Sequence, residues 1–447
     1  MWDKPFLKRL YRLSLPIMLQ QLFIVAGNTI TTLMTGQLGD QAIAASGLAY
    51  QMFFLLSLAQ FGVSSGCAIF TAQFWGSRDH DSILKTLGVS LLLGAAVGGF
   101  FALVAGLAPR FFLSAFTSDE AVLALGAGFL RISALSYLFT PVITAYAFVL
   151  RSTGNARLPM LVSTSGVLVN AIFGYGLIFG RLGMPQLGLN GAAFANLIGR
   201  VSECLLLVWM VYRLKTPLAV PPRQIFSFDR EFFGKIVRRV FPVVQNEVLW
   251  ALGVLAYNAI YARISTESIA AVSINETIGN MMFVPIMGMV NACAILVGNA
   301  IGSNQGEKAA RYVRQTVTIG MLAGGLIGAA LFIGRGAVAD LFNISAETRF
   351  FTIHIFIIQG TTLWLRAANL IFFISMMRGG GDTRFAYMMD VGTMWLLGVP
   401  LALIGAFVLR LPVHWVYLLI MAEEAAKLLL CVWRYRSRRW IHNLVSV

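Results

Sequence analysis

The feature that most constrains this chain is a succession of long apolar blocks that fills nearly all of its 447 residues. A hydrocarbon core of about 30 Å calls for helices of about 20 apolar residues. Lipid offers backbone groups no partner, so blocks of this kind must be helical. Breaks at charge, glycine and proline clusters place them at 13–36, 48–73, 84–108, 121–149, 158–180 and 190–212, then at 240–263, 270–299, 314–334, 350–377, 385–409 and 413–433. Only 12% of residues are charged, against about 25% in soluble domains. The expected fold class is all-α: a polytopic membrane protein of about twelve helices.

The net charge of +15 would suggest a nucleic-acid partner in a soluble protein. Here the basic residues sit mostly between blocks and report orientation instead. With the N-terminus inside, cytoplasmic segments hold 24 Lys and Arg and the opposite side 6. The expectation is a multi-pass protein of the cytoplasmic membrane with both termini cytoplasmic. Met1–Arg12 lacks a small-residue cleavage site and reads as a cytoplasmic arm. Cys67, Cys204, Cys293 and Cys431 lie in or beside apolar blocks without disulfide or metal-ligand spacing. The histidines (80, 354, 414 and 442) are scattered, so neither a metal nor a catalytic cluster is expected.

The halves repeat each other. Pro16 aligns with Pro242, Ile43-Ala44-Ala45 with Ile269-Ala270-Ala271, and Gly76-Ser77 with Gly302-Ser303, all at an offset of 226. Arg151-Ser-Thr-Gly154-Asn-Ala-Arg157 matches Arg378-Gly-Gly-Gly381-Asp-Thr-Arg384 at 227. The polar, proline-containing stretch between them reads as a connector. The expected domains are a six-helix lobe over 1–213, a connector over 214–239 and a six-helix lobe over 240–447. Six spans per half make a parallel repeat about an axis along the membrane normal, as transporters use.

At these residues the sequence resembles the multidrug and toxic compound extrusion (MATE) family. Met34-Thr-Gly-Gln-Leu-Gly39, Thr71-Ala-Gln-Phe-Trp-Gly76, the paired turns Leu150-Arg-Ser-Thr-Gly154 and Arg378-Gly-Gly-Gly-Asp-Thr383, and Asn246-Glu247-Val-Leu-Trp250 carry the likeness. The resemblance implies a V-shaped pair of six-helix bundles, monomeric, exporting bulky and often cationic compounds against inward H⁺ or Na⁺. It implies no cofactor beyond the coupling ion.

Ionisable residues inside spans are costly and so need a reason. Glu247 is the leading candidate for cation coupling, since a desolvated carboxyl can take H⁺ or Na⁺. A structural carboxyl paired with a neighbour is the other reading. In NorM-like relatives, a glutamate here is a coupling residue. Their partner aspartate in the tenth span falls on Ala367 here, which weakens a Na⁺ assignment. Asp390 is a secondary coupling candidate. Arg366 and Asn369 share a face of the tenth span, and Arg366 is a candidate partner for Glu247.

In the first half, Gln21 occupies the place of Glu247, and family acids fall on Thr31 and Gly174, although Asn170 remains. Coupling through this half is not expected. Gln21, Asn28, Thr32 and Thr35 form a polar stripe that either lines a cavity or knits helices together. Asn170, Asn246, Trp250 and Tyr257 complete the candidate cavity lining. Glu423 and Glu424 with Lys427 offer a helix-spaced pair that reads as structural, while Glu276, and Glu203 beside Arg200, are either structural or functional.

No Walker spacing is present, so the driving force is an ion gradient or the substrate's own. The expected function is export of amphipathic organic cations by antiport. The alternative is a flippase for a lipid-linked precursor, which calls for several basic residues in the cavity. A membrane-embedded enzyme would need paired catalytic groups at one interface, and none is visible.

Overall fold

The computed structural model describes residues 3–445, and every regular element among them is helical. The first repeat runs α1 (Lys4–Gly36), α2 (Asp40–Ser77), α3 (His80–Leu107), α4 (Pro109–Ser114), α5 (Glu120–Tyr137), α6 (Thr140–Ser152), α7 (Arg157–Phe179) and α8 (Leu189–Arg213). After the short α9 (Pro222–Ile225) come α10 (Arg230–Ile264), α11 (Thr266–Gly302), α12 (Gly306–Ala339), α13 (Ala346–Leu370), α14 (Thr383–Thr393), α15 (Val399–Leu403) and α16 (Val413–Arg436). Side-chain oxygens close several helix starts. Asp79 accepts from the Ser82 amide, Ser265 from Ser268 and Ser345 from Thr348.

Eleven spans among the described residues are long and apolar enough to cross a membrane. The expected twelfth, 413–433, falls on α16. It is missing from the eleven because Glu423, Glu424, Lys427 and Arg434 lower its apolarity. The block 121–149 is two helices, α5 and α6, with Pro141 at the start of the second, where a missing N–H does no harm. In the second repeat, α13 continues through π-helical turns at Ile371–Arg378, and α14 reaches α15 through another at Met394–Gly398. A third follows α15 at Ile404–Val408. Such widened turns concentrate at functional sites.

The chain divides into two compact units, one of residues 19–244 and one of Gln245 onward together with the segment up to Met18. They differ from the lobes expected at 1–213 and 240–447: each unit includes the first turns of the other repeat's leading helix. The divisions fall at equivalent points, just past Pro16 in α1 and Pro242 in α10. Phe6 stacks on Tyr312 at 4.1 Å, and its repeat equivalent Phe232 stacks on Phe74 at 6.2 Å. The stretch expected as a connector packs as well, with Ile225 and Phe228 against Gly88 of α3.

Interior packing preserves the repeat. A side chain at Gly27 would meet Val167, and one at Gly253 would meet Met394. Gly27 corresponds to Gly253 at 226, and Val167 to Met394 at 227. Both helix pairs therefore approach through a glycine at the same place.

Candidate functional site: buried charges in the second repeat

α10, α13, α14 and α16 bring together most of the charges that the second repeat buries. Arg378, in the π-helical end of the α13 span, bonds Glu247 of α10 at 2.7 Å, and both are almost fully enclosed. The guanidinium also lies over the Phe373 ring at 4.3 Å. Nearby, Lys427 of α16 is shared by two carboxylates. Its Nζ lies 2.7 Å from Asp390 Oδ1 and 2.6 Å from Glu423 Oε1. The remaining oxygen of each acid also accepts a bond. Asn246 Nδ2 donates to Asp390 Oδ2 at 2.9 Å, and the Tyr257 hydroxyl donates to Glu423 Oε2 at 2.5 Å. Gly398, in the second π-helical segment, leaves room for that last contact: a side chain there would strike both Tyr257 and Glu423.

A third group surrounds Glu424. Asn369 Nδ2 donates to Glu424 Oε2 at 2.7 Å, and Arg366 lies 3.8 Å from Glu424 Oε1. Arg366 also donates to Gln359, which accepts from Tyr417 as well. The ion pairs thus join Glu247, Asp390, Glu423 and Glu424 to only Arg378, Lys427 and Arg366. One negative charge is in excess. Inside a low-dielectric bundle, an unbalanced charge must be neutralised or bind a cation.

The first repeat carries a related chain of contacts. Arg151 Nη2 donates to Gln20 Oε1 at 2.7 Å, Gln20 Nε2 to Ser163 Oγ at 2.7 Å, and Ser163 to Glu203 Oε1 at 2.5 Å. Arg200 closes it at 3.0 Å from Glu203 Oε2. Gln20 is the repeat equivalent of Asn246, Ser163 of Asp390 and Arg151 of Arg378. Val208-Trp209 and Val432-Trp433 register α8 on α16 at 224, which makes Glu203 the equivalent of Lys427. The same framework therefore holds a carboxylate in one repeat and an ammonium in the other. Asn28, Asn170, Asn196, Arg200 and Glu203 line a small cavity beside this chain.

The structure relocates several of the residues singled out from sequence. The expected Glu247–Arg366 pair does not form; Arg378, about three helical turns further along the same span, takes Glu247 instead, and Arg366 meets Glu424. Asp390, Asn246 and Tyr257 join the Lys427 cluster, and Asn369 and Arg366 meet at Glu424. Asn28 and Asn170 share the first-repeat cavity. Gln21 and Thr32 are exposed on α1, as Trp250 is on α10, outside both clusters. Sequence reasoning missed Arg378 as a buried residue and the sharing of Lys427. The repeat offset pairs Arg378 with Arg151, Asp390 with Ser163 and Lys427 with Glu203, but it carries no signal of burial or of contacts between helices.

Comparisons with known proteins bear on the family and the fold. The chain is 24% identical to the probable multidrug resistance protein YoeA of Bacillus subtilis, over 97% of this chain and 94% of the relative. It is 26% identical to a probable multidrug resistance protein NorM of Rhizobium meliloti over the same shares. In fold, it superimposes on an outward-facing multidrug resistance MATE family transporter of the MOP superfamily with a TM-score of 0.87. That match is 20% identical and covers 97% of this chain and 96% of the other. The MatE family profile matches twice, over residues 16–176 and 242–404, once in each repeat. The chain belongs to the MatE family of membrane transporters.

Proposed function

We propose that this transporter is a secondary antiporter that exports amphipathic, cationic organic compounds in exchange for H⁺ or Na⁺. The observation that carries the reading is the charge imbalance in the second repeat: four ion-paired carboxylates share three bases. The relatives are named probable multidrug resistance proteins, which supports small organic substrates. The protein acts as a monomer in the cytoplasmic membrane with both termini inside, and alternating access is a rocking of one repeat against the other.

The imbalance is centred where Lys427 serves two acids, so the coupling charge is assigned to Asp390 and Glu423. Glu247, expected from sequence to hold the ion, is instead neutralised by Arg378 and bolts α10 to the α13 span. When one of the two acids on Lys427 takes up the coupling ion, it releases the ammonium to the other. That exchange shifts contacts among α10, α14 and α16 and couples occupancy to helix position. A lipid-precursor flippase would need several free basic residues, whereas Arg366, Arg378 and Lys427 each face a carboxylate and Arg151 alone meets a neutral side chain.

The test is efflux of a fluorescent organic cation from proteoliposomes under an imposed pH or Na⁺ gradient, wild type beside Asp390→Asn. Drive by one gradient in the wild type, lost in the variant, is the expected result. Indifference of the wild type to both gradients would refute antiport.

A further inference from the structure

We propose that Lys427 is a tethered cation standing where an alkali ion would otherwise bind, so that the second repeat exchanges protons and excludes Na⁺. This rests on the antiport reading above and names its ion.

The surroundings of Lys427 are those of a hard-cation site. Asp390 and Glu423 each direct one oxygen at its Nζ, at 2.7 and 2.6 Å. Asn246 is 3% exposed, and while its amide nitrogen donates to Asp390, its Oδ1 has no hydrogen-bond partner. The Tyr257 oxygen lies on Glu423. Two carboxylates from α14 and α16 converge on one point, with the buried amide oxygen of Asn246 on α10 beside Asp390, and carboxylate and amide oxygens are the ligand types that hard cations take. The point where the carboxylates converge is filled by the ammonium itself.

An ion and a proton differ in what they need from such a place. A metal cation requires several oxygens around one point and would meet the Lys427 charge at contact distance, where repulsion is strongest. A proton adds to a single carboxylate oxygen and needs no shell. With Lys427 in place, the excess negative charge is open to H⁺ and closed to Na⁺. The ammonium is a local choice and not a demand of the fold, because the equivalent position of the first repeat holds Glu203 in contact with Ser163.

The decisive measurement is equilibrium binding of ²²Na⁺ to purified protein in detergent, which does not depend on transport. Wild type is expected to show no saturable Na⁺ binding. Lys427→Met, which empties the point while keeping the stem, is expected to gain saturable binding, at least tenfold above wild type. Adding Asp390→Asn to it should abolish that gain. If Lys427→Met does not fold, Glu423→Gln/Lys427→Met removes one charge of each sign and serves in its place, with the same gain expected through Asp390. Saturable Na⁺ binding by wild type that Asp390→Asn removes would overturn the proposal. So would a folded Lys427→Met, or the double variant, that gains none. If wild-type efflux ignores both gradients, the antiport reading fails while these binding results still decide the role of Lys427.

Discussion

The two repeats use one framework to hold opposite charges. In each, an amide on the leading helix reaches the fifth span, and that span reaches a charged residue on the sixth. The first repeat reads Gln20, Ser163, Glu203; the second reads Asn246, Asp390, Lys427. An arginine at the end of the fourth span bolts each leading helix. Arg151 meets the neutral Gln20, whereas Arg378 meets the charged Glu247. The first chain has two bases for one acid, and the second cluster has more acids than bases. Backbone packing through Gly27 and Gly253 has stayed alike while the charges have diverged. Geometry at such a site is set by the repeat, and its chemistry by a few side chains.

The comparison breaks most sharply at the two arginine bolts. Arg378→Met leaves Glu247 buried without a partner and should lower stability by about 3–5 kcal/mol. Arg151→Met abandons only an amide and should cost about 1–3 kcal/mol. Thermal unfolding of the two purified variants in one detergent compares them, and equal losses would show that the bolts do not differ in charge.

The next largest effect concerns transport. Glu423→Gln should reduce gradient-driven efflux at least tenfold, within the usual span of coupling energies. Ser163→Ala in the first repeat should leave it within about threefold. A larger loss at Ser163 would move coupling into the first repeat.

A smaller effect is expected at Gly398, whose repeat equivalent is already Ala171. Gly398→Ala pushes against Tyr257 and Glu423 and should cost about 1–3 kcal/mol, as overpacking does. A stability unchanged from wild type would mean that this contact is loose.

The smallest effect is at the turns that follow the two arginine bolts. Burial of Asp382 would raise its carboxyl, but attraction to His442 and Arg434 outweighs this and holds it below the ordinary carboxylate value. Its contribution to stability is therefore present above that ordinary value and is lost as pH falls through the lowered one. Asn155, its equivalent, contributes no such dependence. Asp382→Asn should flatten the acid limb of a stability profile, while Asn155→Ala should not.

Much of the fold is legible in the sequence because lipid imposes it. Block length, the charge asymmetry of the turns and the repeat offset each follow from a strong physical constraint. α16 is legible as the block 413–433, although three of its charged residues face partners inside the bundle and depress the apolar signal of a span. Arg151 and Arg378 were read among the cytoplasmic charges that report orientation. A long cationic side chain at a span end can turn either to water or inward, and here both turn inward. Glu247 was legible as a buried acid, but its partner was not, since Arg366 and Arg378 lie on the same span and only three-dimensional register separates them. The sharing of Lys427 by Asp390 and Glu423 joins α14 to α16, a contact that helical spacing within one element does not reveal.

The assignment of coupling to the acids on Lys427 is tested most directly by measuring, in one set of proteoliposomes, pH-gradient-driven efflux and gradient-free substrate exchange for Glu423→Gln. Replacing this acid balances the cluster, so the variant should fold, exchange substrate and fail to respond to the pH gradient. A variant that exchanges substrate and still follows the pH gradient as wild type does would contradict the assignment.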